Sequence, residues 1–103
     1  MTAASSPEPV QVTDNARRHR YEARRGDQVL GFVTYRREPG RITFLHAETD
    51  RSEHGRGIGS QLAAGALDDA RSQGLAVVPR CPFIAEFIDR HPDYQDLVVA
   101  PGS

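Results

Sequence analysis

The sequence contains no lysine; all 13 of its basic residues are arginine. That excludes a Schiff-base lysine and the lysine of a Walker-type phosphate loop. Cys81 is the only cysteine. One thiol cannot form an internal disulfide or supply a thiolate zinc site. An unpaired thiol suits a reducing cytosol. No sign of charge dominates: 13 basic residues face 14 acidic ones, for a net charge of −1. A global polycation gripping nucleic acid through its phosphates is therefore excluded. No apolar run approaches the ~18 residues that span a bilayer. No basic segment leading into an apolar one marks a signal peptide. A length of 103 residues suits one domain and excludes a doubly wound dinucleotide-binding protein with a separate substrate domain. The expectation is a cytoplasmic single-domain protein.

Residues 1–14, with Ser5-Ser6-Pro7-Glu8-Pro9, read as a disordered tail. The folded domain is expected over 15–99, and 100–103 as a C-terminal tail. Arg18 to Arg25 alternates, with Tyr21 and Ala23 opposite Arg18, Arg20, Glu22 and Arg24. Such alternation predicts a half-buried strand. Gln28 to Arg37 is rich in aromatic and β-branched residues, which predicts a second strand. Arg41 to Thr49 predicts a third, with Ile42, Phe44, His46 and Glu48 on one face. Gly26-Asp27 and Glu38-Pro39-Gly40 are turn signals, so the three strands form an antiparallel meander.

The period then changes. Asp50 to Gly59 is a polar, glycine-rich loop, and Ile58 to Gln73 carries apolar residues at helical spacing before Gly74. Leu75 to Pro79 is a short apolar strand, expected to be buried on both faces. Pro82 suits the first position of a second helix, in which Ile84, Phe87, Ile88 and His91 share a face and Pro92 ends the run. His91 at that helix's C-terminus is explained by the helix dipole. The expected class is α/β: a mixed sheet in which a three-stranded meander feeds a βαβ unit and a C-terminal helix.

Gly55-Arg56-Gly57-Ile58-Gly59 opens a helix directly after a strand. That places backbone N–H groups and the positive end of a helix around one concavity, which favours a phosphate or pyrophosphate. Arg56 adds a charge-assisted contact. The spacing fails the G-x-G-x-x-G fingerprint, and the P-loop lysine is absent. The x-x-G-x-G loop that binds the pyrophosphate of coenzyme A still matches. The bland alternative is a flexible connection.

On these residues the chain resembles the GNAT superfamily of acetyl-CoA-dependent N-acetyltransferases, and within it a small, minimal branch of YjdJ-like proteins. The matching stretches are VTDNARRHRYE (12–22), GFVTYRR (31–37), HAETD (46–50), HGRGIGSQLAAGALDDARSQGL (54–75) and VVPRCPFIAEFIDRHPDYQDLV (77–98). The resemblance implies a reduced GNAT-like fold without the extra strand and two helices with which larger members begin. It implies a coenzyme site at Thr49, His54, Gly55, Arg56, Gly57, Ile58, Gly59, Ser60, Val78 and Pro79. His54 stands where the superfamily loop often has Arg or Gln. The pantetheine arm is expected between the third strand and Leu75–Pro79, with the acetyl group ending near Cys81.

Acetyl transfer to an amine needs a base, a stabilised oxyanion and a proton for the leaving thiolate. His46 and Glu48, just before the loop, are the candidate bases; the alternatives are a core histidine and a solvated carboxylate. Cys81 lies at the start of the second helix, where a thiol is readily ionised, and is either a nucleophile or a small buried hydrophobe. Tyr94 is either the acid that protonates the thiolate or a packing residue. His46, Glu48 and His54 lack a metal-ligand spacing, so no metal is expected. Arg17, Arg18, Arg20, Arg24 and Arg25 form a local basic patch: a solvated strand edge or an attractor of an acidic acceptor or nucleic acid. The expected function is an acetyl-CoA-dependent N-acetyltransferase; the alternative is a non-catalytic acyl-CoA-binding module or sensor. The expected partners are acetyl-CoA and a small-molecule or protein amine, with no membrane or nucleic acid, the chain being a monomer or weak homodimer.

Overall fold

The computed structural model describes residues 9–50 and 57–99. Five strands form one sheet in chain order: β1 (Gln11–Asn15), β2 (Arg20–Arg25), β3 (Gln28–Glu38), β4 (Arg41–Thr49) and β5 (Ala76–Pro79). The first four pair antiparallel, and β5 pairs parallel to β4. Helix α1 (Ile58–Ser72) connects β4 to β5, and α2 (Pro82–Arg90) follows β5. Short 3-10 turns span Ala16–Arg18 and Pro92–Leu97.

The mixed sheet, the βαβ unit and the C-terminal helix are as the sequence predicts. The meander has one strand more. Gln11 to Asn15, all but its last residue within the expected tail, pairs along its whole length with β2, Gln11 opposite Arg24 and Asn15 opposite Arg20. The strand was masked by its composition: its only apolar residue, Val12, is enough to hold it. Val12 packs on the core against α1 at Gly65, where an added Cβ would lie 2.6 Å from the Val12 Cβ. Gly65 is thus the notch into which β1 fits.

In an open helix, Gly65→Ala would stabilise by about 1 kcal/mol. Here overpacking costs about 1–3 kcal/mol, so the substitution is expected to destabilise. Urea denaturation checks it, with the sign reversing in a Val12→Gly background. A stabilised Gly65→Ala in the native background would contradict the contact.

One apolar cluster joins α1, α2 and a single face of the sheet. From α1 it takes Ile58, Leu62, Ala63, Ala66, Leu67 and Ala70. The alanines bring the helix backbone close to Tyr21, Val33 and Phe44, all at most 1% exposed. Tyr21 donates from its hydroxyl to Asp69 of α1 at 2.5 Å, and Tyr35 to Asp14 of β1 at 2.5 Å. Burial first, and these carboxylates second, push both phenol pKa values up. Among the described residues, the opposite face of the sheet carries no helix of this cluster.

A bulge shapes that second face. In β4, Phe44 lies opposite Tyr35 but His46 lies opposite Thr34, so Leu45 is an extra residue. An extra residue inverts the alternation that follows it. Ile42 and Phe44 point into the core, whereas His46 and Glu48 turn to the open face with side chains 61% exposed. The sequence placed all four on one face, because alternation alone carries no trace of a bulge. Ala47 takes the core-facing place instead.

Candidate functional site

Pairing between β4 and β5 runs from Arg41–Ala76 to Phe44–Pro79 and ends there. The last link is the Cys81 N–H donating to the Phe44 carbonyl at 2.9 Å. Beyond the bulge β4 continues to Thr49, and no strand among the described residues pairs on its β5 side. A fork therefore opens between the two strands. Ala47, Glu48, Thr49, Gly59 and Phe83 line a cavity of about 140 Å³ in it.

Two helix N-termini flank this cavity. Gly57 is the N-cap of α1, with φ +77° and no side-chain cap bond. A Cβ is disfavoured in that left-handed conformation, and the first N–H groups of the helix are left for an outside acceptor. Cys81 is the N-cap of α2, also without a side-chain cap bond, and Pro82 follows. The Phe83 ring lies against Gly59, where an added Cβ would sit 2.8 Å from the ring's Cζ. Sequence reasoning missed Phe83. Its signal was an aromatic residue one position away from the stripe formed by Ile84, Phe87 and Ile88.

The expected coenzyme residues fall into three groups. Thr49 and Gly59 line the cavity, with Gly57, Ile58 and Ser60 at the same helix end. Ile58 is 2% exposed, with its side chain in the core cluster. Pro79 closes the fork opposite Phe44. Val78, opposite Thr43, is buried but stands outside the main core cluster; it faces the open side of the sheet rather than the cavity. His54, Gly55 and Arg56 lie outside the described residues.

The four chemical candidates separate as well. His46 Nε2 and Glu48 Oε2 lie 2.8 Å apart. Neutral His46 thus keeps its proton on Nε2, where Glu48 accepts it, and Nδ1 is the basic atom. Both are surface groups, not interior ones. Cys81 is 2% exposed within the core cluster, the environment of a small hydrophobe. Tyr94 donates its hydroxyl to Asp68 in α1 at 2.8 Å and packs on Phe87. Burial and that carboxylate push its pKa up. Asp68 lies ten residues into α1, about 15 Å along the helix from its N-terminus. Tyr94 therefore ties the C-terminal turn to α1 and stands away from the fork.

Two arginines of the basic patch, Arg20 and Arg24, are held by a carboxylate. Glu22, 2% exposed, accepts from Arg20 Nε at 2.7 Å, Arg24 at 3.0 Å and Asn15 at 3.1 Å. The Arg20 guanidinium also lies 4.5 Å from the Phe32 ring centroid. Burial pushes the Glu22 pKa up, but the three donors outweigh it and the net direction is down. A carboxylate between two arginines at i−2 and i+2 was the legible signal, since strand residues two apart share a face.

The sign of the pH dependence follows. A carboxyl held below its unfolded pKa stabilises the fold above that value and ceases to do so as pH falls through the folded one. Glu22→Gln is expected to cost about 2 kcal/mol at pH 7. The gap to wild type should narrow as pH falls below about 4. Denaturant titrations at stepped pH check it; a gap independent of pH would contradict it.

No described helix is long and apolar enough to cross a membrane. A search of curated proteins finds no match. Among solved structures, the fold resembles a GCN5-like protein from Staphylococcus aureus determined by NMR in solution. That match has 20% sequence identity and a TM-score of 0.66, and covers 92% of this chain and 91% of the other. The family model for GCN5-related N-acetyl-transferases matches residues 20–97. That is most of the folded chain, strands and helices alike, and the chain belongs to the GCN5-related N-acetyltransferase family.

Proposed function

We propose that this protein transfers an acetyl group from acetyl-CoA to an amine, directly and without an acetyl-cysteine intermediate. The observation that carries the reading is the fork: a β4 edge from Leu45 to Thr49 on which no described strand pairs, beside a helix N-terminus at Gly57 without a side-chain cap bond. A pyrophosphate suits the N–H groups at Gly57, Ile58, Gly59 and Ser60. His54, Gly55 and Arg56 complete that loop in the proposal. A pantetheine amide chain suits the β4 edge from Thr49 back to Leu45, pairing with it as a strand would, with Pro79 at the far end of the fork and Val78 beside it on the open face. When bound, acetyl-CoA supplies an activated thioester.

In this reading His46 Nδ1 takes the proton that the amine loses as its nitrogen bonds to the acetyl carbon. Glu48 holds the other ring nitrogen and steadies the imidazolium that forms. Free β4 backbone N–H groups face the developing oxyanion. The carbon–sulfur bond breaks, and the thiolate of coenzyme A leaves and is reprotonated from the imidazolium or water. Cys81 walls the acetyl end and Tyr94 only packs.

His46→Ala is expected to lower kcat about 100-fold, with the KM for acetyl-CoA little changed. Cys81→Ala should keep most of its turnover, and intact mass after acetyl-CoA treatment should show no acetyl adduct. Steady-state kinetics on an amine panel checks both. Undiminished kcat in His46→Ala would overturn the assignment of the base. An acetylated Cys81 together with inactive Cys81→Ala would overturn direct transfer.

A further inference from the structure

The open face of the sheet carries a second concavity, beside the fork and separate from the coenzyme residues of the helix end. Its volume is about 210 Å³, room for several water-sized groups. Thr43 and Val78, paired across β4 and β5, form its floor. Arg36, paired with Thr43 from β3, forms one wall; Arg41 and Arg80 form the others. Glu38 and Leu45 complete the rim.

The arginines set this pocket apart. Among the described residues several other arginines are matched: Arg20 and Arg24 by Glu22, Arg71 by Asp96, Arg90 by Glu86. Arg37 reaches Gln73. The guanidinium groups of Arg36, Arg41 and Arg80 bond to no described residue, and neither does the Glu38 carboxylate on the same rim. Three cations and one anion thus converge on one hollow without pairing. Planar guanidinium groups match carboxylate and phosphate oxygens bidentately. The Thr43 hydroxyl adds a neutral donor at the floor.

The position of the pocket bears on the reaction. Arg80 immediately precedes Cys81, and Leu45 is the bulge residue where the fork begins. His46 lies three residues beyond Thr43, about 10 Å of strand, and its side chain emerges on the same open face.

We infer that the Arg36–Arg41–Arg80 pocket anchors a carboxylate or phosphate group of the acyl acceptor. The acceptor is then an anionic amine, its amino group and its anion separated by a flexible spacer that reaches from His46 to the arginines. The inference rests on the transferase reading above for the role of the anion, and on the pocket alone for its binding.

Two arms of one experiment test it on the full chain. In the first, without coenzyme, ¹H–¹⁵N spectra are recorded during titration with inorganic phosphate and with glutarate. Saturable shifts are expected at the amides of Arg36, Arg41 to Leu45 and Val78 to Cys81. Arg41→Glu/Arg80→Glu should weaken them at least tenfold, and Arg41→Gln/Arg80→Gln should weaken them in the same direction. Shifts that are absent, scattered over other arginines, or unchanged in both variants would overturn the anion site. In the second arm, matched acceptors are compared: ε-aminohexanoate against hexylamine, and O-phosphoethanolamine against ethanolamine. At least tenfold higher kcat/KM is expected for one anionic member over its neutral counterpart, lost in Arg41→Glu/Arg80→Glu. The pair that shows it distinguishes carboxylate from phosphate. Equal turnover of charged and neutral acceptors would overturn the acceptor role. Absence of coenzyme binding by calorimetry would instead overturn the transferase reading and the acceptor role with it, while the first arm still decides whether the pocket takes an anion.

Discussion

Gly57→Asp is expected to weaken coenzyme A binding about 100-fold, equivalent to about 2.7 kcal/mol, while leaving the protein folded. Gly57 holds φ at +77° as the N-cap of α1. Asp is among the residues that tolerate a left-handed backbone, and it is a good N-cap. Its carboxylate even favours the positive end of the helix. The same charge repels a pyrophosphate on those N–H groups. At an effective dielectric of about 20, two unit charges about 5 Å apart repel by about 3 kcal/mol. Gly57→Asn gives nearly the same shape without the charge, and its affinity should stay within about tenfold of wild type. Calorimetry with coenzyme A at low and high salt checks the series, since screening should narrow the gap between Asp and Asn. Equal affinities for the two variants would place the pyrophosphate elsewhere.

Phe44→Ala is expected to cost about 3–5 kcal/mol, a large share of the roughly 5–15 kcal/mol that holds a domain together. Phe44 is 0% exposed, and its ring centroid lies 6.2 Å from that of Tyr21. It is also the last residue of β4 paired to β5, and its carbonyl accepts the Cys81 N–H. Loss of the ring thus opens a cavity where the fork is fastened. The melting temperature should fall by at least about 12 °C. Leu45→Ala, one residue on and 44% exposed, should shift it far less. A loss under about 1 kcal/mol for Phe44→Ala in denaturant titration would contradict the packing described.

Much of this fold was legible because its signals are local. The turn at Pro39-Gly40 is marked by its residues, with Gly40 at φ +75°. The apolar spacing of α1 reports its buried stripe directly. Features that depend on a partner far along the chain were not legible. β1 is polar in sequence and becomes a strand because β2 pairs with it and Gly65 admits Val12. His46 and Glu48 changed face because Leu45 is an extra residue relative to β3, a relation between two strands that neither displays alone.

The site divides in the same way. The glycine run and the helix start at Ile58 placed one end of the candidate site from sequence. Pro82 likewise placed Cys81 at the N-cap of α2. Burial and hydrogen bonding then bear on the chemical candidates: Cys81 is enclosed and the Tyr94 hydroxyl is engaged with Asp68. Phe83 reached the site through its contact with Gly59, across a gap of 24 positions in the chain. The arginine pocket needed three strands in register before Arg36, Arg41 and Arg80 became neighbours.

The fork between β4 and β5 is expected to hold coenzyme A, and the amide footprint of coenzyme A on the ¹⁵N-labelled chain tests this most directly. Perturbations are expected to run from Gly57–Ser60, along Ala47–Thr49, to Pro79 and Cys81–Phe83, with Arg36, Arg41 and Thr43 of the arginine pocket unaffected by coenzyme alone. No binding at millimolar coenzyme A, or a footprint centred away from these three segments, would contradict it.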